Sequence, residues 1–150
     1  MIFCTGGTGF VGAALLNRLS NDGLKVRASV RESGYKFSGN VESFQIANIS
    51  GSTNWNLAFK DVDTVIHCAA RVHVMSDFDC DPLAAYRKVN VEGSLNLALK
   101  AAQSGVRRFL FVSSIKVNGE STLPGHPFTA IDVPAPLDPY QRGQTGQSLR

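Results

Sequence analysis

The chain is short of cysteine pairs, of net charge and of long apolar runs, and each shortage excludes something. Cys4, Cys68 and Cys80 are odd in number and form no C-x-x-C. Neither a disulfide framework nor a zinc site is indicated, and a reducing cytoplasm suits them. Fifteen Lys and Arg against 12 Asp and Glu leave a net charge of +3. The only adjacent basic pairs are Arg87-Lys88 and Arg107-Arg108, too little for a stripe that tracks phosphate backbones, so nucleic acid is not an expected partner. No run approaches ~18 uninterrupted apolar residues, and no basic segment precedes Met1-Ile2-Phe3-Cys4 before the glycines begin at Gly6. Neither a membrane span nor a signal peptide is expected, which predicts a soluble, cytoplasmic chain. His67, His73 and His126 follow no metal-ligand spacing, and Ser113-Ser114 lacks the G-x-S-x-G elbow of a serine hydrolase.

What is present reads as a globular domain: 150 residues, 43% hydrophobic and 18% charged, enough for one domain or one domain cut short. Apolar spacing alternates between strand and helix, so the class is α/β, a parallel sheet with helices on both faces. Ile2 to Thr5 is a short apolar run opening into Gly6-Gly7-Thr8-Gly9. Val11, Ala14, Leu15 and Leu19 then recur at helical spacing, and Asn21-Asp22-Gly23 supplies a stop. Val26, Ala28 and Val30 alternate with Lys25, Arg27 and Ser29, predicting a second strand with one better-buried face; Phe44 and Ile46 mark a third. A short helix is predicted around Trp55 to Phe59, and Thr64 to Cys68 fits a fourth strand buried on both faces. Asp81-Pro82 caps a helix predicted to run to Gly105, and Phe109 to Ser113 is the fifth strand. Five of the six prolines fall between Pro124 and Pro139, an ordered loop.

Gly7-Thr8-Gly9-Phe10-Val11-Gly12 is a G-x-G-x-x-G, and with Gly6 it also reads G-x-x-G-x-x-G. It lies between the predicted strand and helix that the motif requires. Glycines there permit a tight turn and close approach of backbone to a pyrophosphate, while the helix N-terminus supplies N–H groups and a positive dipole end. Gly6, Gly9, Phe10, Val11 and Gly12 are therefore candidate cofactor-binding residues. About 20 residues on, where an acid often holds the ribose hydroxyls of NAD, stand Val30 and Arg31. Arg31 can pair with a 2′-phosphate, which leans toward NADP; neighbouring Glu32 keeps NAD open.

These and further segments resemble the extended short-chain dehydrogenase/reductases, the UDP-sugar epimerase, dehydratase and reductase group. They are Thr5 to Gly12, Asp63-Thr64-Val65-Ile66-His67-Cys68-Ala69-Ala70, Lys88-Val89-Asn90-Val91-Glu92-Gly93, Phe111-Val112-Ser113-Ser114 with Val117-Asn118-Gly119, and Asp138-Pro139-Tyr140, in family order along nearly the whole chain. Arg71-Val72-His73-Val74-Met75 most resembles the branch found with bacterial lipopolysaccharide O-antigen and nucleotide-sugar genes. The resemblance implies a Rossmann-like, doubly wound parallel sheet, incomplete here at its first five strands. It also implies a catalytic Ser/Thr and Tyr with a Lys four residues after the Tyr. By motif, Ser114 is the hydroxyl that hydrogen-bonds the reacting sugar oxygen and Tyr140 the acid/base. Ala69 and Ala70 fall where backbone lines the cofactor, and Asn90 where a helix asparagine supports the site.

Three departures qualify that picture. Asn48-Ile49 replaces the Asp that usually contacts adenine, a loss one amide hydrogen bond can cover. Asn118 stands where the family often has an aromatic residue, which touches substrate preference. Position 144 is Gln where the family needs Lys. Lowering a tyrosine from pKa ~10 to near 7 takes roughly 4 kcal/mol. An ammonium about 4 Å away supplies ~4 kcal/mol at an effective dielectric of ~20, and a neutral amide does not. The expected organisation is a partial N-terminal NAD(P)-binding Rossmann domain over 1–140 and an aberrant tail over 141–150, with the substrate domain absent. A frameshift is the expected origin of the tail: if Gly143-Gln144-Thr145-Gly146 is encoded GGC-CAA-ACT-GG, deleting one G yields Ala-Lys-Leu and restores a lysine at 144.

The leading expectation is descent from a UDP-glucose or UDP-GlcNAc 4-epimerase working by hydride transfer at sugar C4, inactive as the chain stands. The alternatives are an NADPH-dependent reductase of 4-keto-6-deoxy-sugar nucleotides, which Arg31 favours, and a non-catalytic dinucleotide-binding module or gene remnant. The expected partner is a nucleotide sugar, with a homodimer open to the full-length enzyme. Losing a sixth strand should leave the fifth as an exposed apolar edge.

Overall fold

Side chains on a strand alternate between faces, and in β1 (Ile2–Thr5) both faces are covered: Phe3 and Cys4 are each fully buried. The computed structural model describes residues 1–72 and 81–135, and its other strands are β2 (Val26–Val30), β3 (Val41–Gln45), β4 (Thr64–His67) and β5 (Arg108–Phe111). All pair in parallel in the order β3-β2-β1-β4-β5. The chain moves outward through β2 and β3, then crosses back over β1 to lay down β4. This reversal creates the crevice at the strand carboxyl ends where ligands of such sheets bind.

Two cores follow from the alternation. On one face Phe3 and Val65 pack with Trp55, Phe59 and, from α3 (Ser94–Gln103), Leu97 and Ala101. Phe3 meets the rings of Phe44, Trp55 and Phe59 edge-on at centroid distances of 6.2, 6.0 and 5.6 Å. Burying a side chain of this size contributes about 1.5–3 kcal/mol. On the other face Cys4, Val26 and Ala28 pack with Leu16 of α1 (Phe10–Asn21). The α/β class and the five-stranded, Rossmann-like sheet expected from the sequence are present.

Several expectations need correction. β2 is buried on both faces. Arg27 stays buried because its Nη1 donates to the carbonyls of Ala58 and Lys60 at 2.8 and 3.1 Å and its Nε lies 3.0 Å from Glu42 Oε1. A charged residue in the strand predicts one weaker face, and these partners cover it. Trp55 to Phe59 form turns rather than a helix. Their apolar residues plug the core, with Trp55 and Phe59 stacked at 6.2 Å. The third strand starts at Val41 and ends at Gln45, although Ile46 N still donates to the Val30 carbonyl at 2.8 Å. The fourth strand stops at His67, one residue before Cys68, and the fifth runs Arg108–Phe111 rather than 109–113.

The predicted helix from 82 to 105 is three pieces: α2 (Pro82–Arg87), a π-helical turn (Lys88–Gly93) and α3. Asp81 caps it as expected, its carboxylate accepting from Ala84 N at 3.0 Å. The loop after β5 includes a short 3-10 helix, Ile115–Asn118. Among the described strands β5 is an edge, and its apolar side chains are open, with Leu110 46% and Phe111 40% exposed. No helix among the described residues is long and apolar enough to cross a membrane.

Candidate dinucleotide and active site

The turn from β1 into α1 is built so that only glycine fits at two points. Gly6 has φ +75°, and a Cβ on it would lie 2.6 Å from Ala69 N at the end of β4. A Cβ on Gly12 would lie 2.1 Å from the Gly6 carbonyl oxygen. The turn is thereby pressed against β4 and the first helical turn against the loop. Gly9 N donates to the Gly6 carbonyl at 3.0 Å, and Ala13 N to the Gly9 carbonyl at 2.8 Å. The rim is open: Gly9 has only the Gly6 carbonyl oxygen nearby, at 3.4 Å from its would-be Cβ, and Phe10 and Val11 are exposed. Gly9 caps α1 without a side chain and no acid occupies the first turn. An uncapped, acid-free N-terminus beside exposed backbone fits a diphosphate.

The neighbouring candidates divide by element. Arg31 and Asn48 are exposed just beyond β2 and β3, and Ile49 is half-buried. The Asn48 carbonyl accepts from Thr53 Oγ1 at 2.7 Å, and Asn96 Nδ2 donates to the Ser50 and Thr53 carbonyls at 3.1 and 2.8 Å. This pins the 48–53 loop to α3. Ala69 and Ala70 are half-buried beyond β4, and Ala69 N donates to Thr5 Oγ1 at 3.4 Å. Asn90, 3% exposed, clamps the Arg71 backbone: its Oδ1 accepts from Arg71 N at 2.7 Å and its Nδ2 donates to the Arg71 carbonyl at 2.9 Å. It therefore acts on the segment after Ala70.

Ser114 is half-buried past β5. Its Oγ accepts from Lys116 N at 3.3 Å, which caps the 3-10 helix and leaves its own O–H available to donate. Tyr140, Gln144 and the tail lie outside the described residues, as do His73 and Cys80. Among the described residues no group of three His, Cys, Asp or Glu could hold a metal.

Two features escaped the sequence reading. Thr5 and His67 are opposite each other in the β1–β4 register. Thr5 Oγ1 and His67 Nδ1 share a hydrogen bond of 2.5 Å, and His67 Nε2 and Ser94 Oγ one of 2.7 Å. Burial pulls the His67 pKa down to about 4, so the ring is neutral at pH 7. The chain Ser94–His67–Thr5 thus ties α3 to the Ala69 N–H beside the glycine turn. Gly93 is the second: a Cβ there would meet Ile49 Cγ2 at 2.6 Å, so the π-helical turn presses on the Asn48-Ile49 loop. The adjacency of Thr5 and His67 needs the register, which no local pattern gives; Gly93 stands within the Lys88–Gly93 motif, but its contact with Ile49 depends on the tertiary fold.

The family model described as "NAD dependent epimerase/dehydratase family" matches residues 2–145. The chain belongs to this family. A UDP-glucose 4-epimerase of Vibrio cholerae is 47% identical over 140 residues, which is 93% of this chain and 42% of that protein. The solved structure of MoeE5 in complex with UDP-glucose and NAD is 28% identical, with a TM-score of 0.77 over 95% of this chain and 45% of that one. The UDP-glucose 4-epimerase of Thermus thermophilus, in complex with NAD, shares the fold at 24% identity, with a TM-score of 0.80 over 98% of this chain and 51% of that one. The chain spans about half the length of the relatives it matches.

Proposed function

We propose that this chain supplies the dinucleotide-binding half of an NAD(P)-dependent UDP-sugar 4-epimerase, acting on UDP-glucose or UDP-GlcNAc. The observation that carries the reading is the Gly6–Gly12 turn, closed to any Cβ against β4 yet open at the N-terminus of α1. Residues 1–140 form the binding domain in this reading. Gly9, Phe10, Val11 and Gly12 offer backbone to the diphosphate, Asn48 and Ile49 flank the adenine, and Ala69 and Ala70 line the nicotinamide side. The dinucleotide, when bound, supplies a reversible hydride acceptor at sugar C4. Ser114 donates its free O–H to the reacting sugar oxygen, Tyr140 takes and returns that oxygen's proton, and Asn90 holds the Arg71 backbone that follows Ala70. With Gln144 in place of an ammonium, the phenol keeps its proton at pH 7, and the chain as it stands binds without turning over.

Arg31 supports a second reading. Exposed at the end of β2, it suits a 2′-phosphate, and a one-way NADPH-dependent reductase of 4-keto sugar nucleotides would use the same groups. The free thiols Cys4 and Cys68 suit a cytoplasmic location, and the segment from Arg71 to Met75 suits supply of sugars for bacterial O-antigen.

The test joins residues 1–140 to the C-terminal portion of the Vibrio relative, with lysine at 144, and incubates the chimera with UDP-glucose. Formation of UDP-galactose without net consumption of NAD supports the epimerase. Stoichiometric oxidation of NADPH with a 4-keto sugar nucleotide moves the assignment to the reductase. Failure of a folded chimera to bind either dinucleotide overturns both.

A further inference from the structure

The proposed chemistry gives no role to the sulfurs of Cys4 and Cys68, yet the fold brings them together beneath the glycine turn. Cys4 lies opposite Ile66 in the β1–β4 register, and Cys68, two residues on, projects to the same face. Both pack into the cluster of Leu16, Val26 and Ala28 under α1. Cys4 is completely buried, Cys68 is half-buried, and both are free thiols. Cys68 N donates to the Thr5 carbonyl at 3.2 Å, and the Cys68 carbonyl carbon lies 2.8 Å from the place a Gly6 Cβ would take. Any shift of the backbone at 68 is therefore felt by Gly6.

We propose that Cys4 and Cys68 are a peroxide-oxidisable thiol pair whose disulfide closes the dinucleotide site, an inference that rests on the Gly6–Gly12 turn being that site. Cys68 is the attacking sulfur. The neighbouring Cys4 thiol lowers its pKa to about 7, while Cys68 and burial push the Cys4 thiol, whose Sγ donates to the Thr5 carbonyl at 3.5 Å, far above its ordinary range. The Cys68 thiolate attacks a peroxide oxygen: an S–O bond forms, the O–O bond breaks and hydroxide leaves, taking up a proton to become water. The Cys4 sulfur then attacks the Cys68 sulfur, forming S–S and breaking S–O, and the Cys4 proton leaves with the hydroxyl as a second water. Two thiols lose two electrons and one peroxide becomes two waters.

A disulfide holds its two sulfurs about 2.05 Å apart, well inside the contact distance of two packed thiols, and residue 68, past the last residue of β4, is the partner that shifts. Closing the bond draws residue 68 inward. Ala69 N is then pulled from Thr5 Oγ1, and Gly6 loses the backbone against which its turn is set.

The test uses the 150-residue chain with Cys80→Ser, treated with stoichiometric hydrogen peroxide. Non-reducing digestion and mass spectrometry read the Cys4–Cys68 linked peptide, and calorimetric titration with NAD reads affinity before oxidation, after it and after dithiothreitol. The expected result is the linked peptide with about tenfold weaker NAD binding that dithiothreitol restores. Cys4→Ala and Cys4→Ser should each keep NAD affinity through the same treatment. Absence of the linked peptide overturns the pair, and a linked peptide with unchanged affinity overturns the closure. A reduced chain that binds no NAD overturns the dinucleotide reading instead, while the linked peptide still decides whether the thiols couple.

Discussion

Single residues decide whether the turn can exist. Gly12 has no room for a methyl group against the Gly6 carbonyl, and the atom such a group would strike is backbone, which cannot swing aside. Gly12→Ala is expected to cost roughly 1–3 kcal/mol of stability and to abolish measurable NAD binding, read by denaturant melts and calorimetry on the same preparation. His67 carries a pH signature. Its pKa is about 4 when folded, against an ordinary 6.5, so the unfolded chain binds the proton first as pH falls. The stability its neutrality contributes is whole above pH 6.5 and is lost between 6.5 and 4, by up to roughly 3 kcal/mol. Urea melts at pH 7 and pH 4.5 should differ by that component, and His67→Gln should remove it; an unchanged difference in the variant would show that other groups titrate there.

At the scale of elements, the long helix expected over 82–105 shows what pattern can and cannot give. Asp81-Pro82 was legible as a cap because capping is local chemistry. The widened turn at Lys88–Gly93 was not, because it answers to tertiary demands: Asn90 reaching the Arg71 backbone and Gly93 pressing on Ile49. Asn90→Asp keeps the acceptor for Arg71 N but loses the amide donor to the Arg71 carbonyl. Loss of that bond should cost about 1–3 kcal/mol, with faster amide exchange at Arg71 as the local readout. The β5 edge makes a different prediction. Leu110 is apolar and 46% exposed on a strand that is an edge among the described residues, so the chain is expected to self-associate. Light scattering should show Leu110→Lys shifting it toward monomer with little loss of stability.

For the whole molecule, the sequence alone determined the class, the five strands, the glycine turn and its coupling to a helix. Periodicity and turn chemistry are properties of neighbouring residues. The family likeness was legible for the same reason, since its segments are short and appear in order. The tertiary structure decided what depends on residues far apart in the chain. Arg27 could be buried only because carbonyls from 58 and 60 and the carboxylate of Glu42 converge on it. Trp55 to Phe59 became a core plug because the open face of β1 needed filling, which outweighed helix formation in so short a segment. Ser94, His67 and Thr5 formed one hydrogen-bonded chain, and Cys4 met Cys68, because the register of β1 on β4 set which side chains share a face. That register is fixed by the burial of two whole surfaces at once.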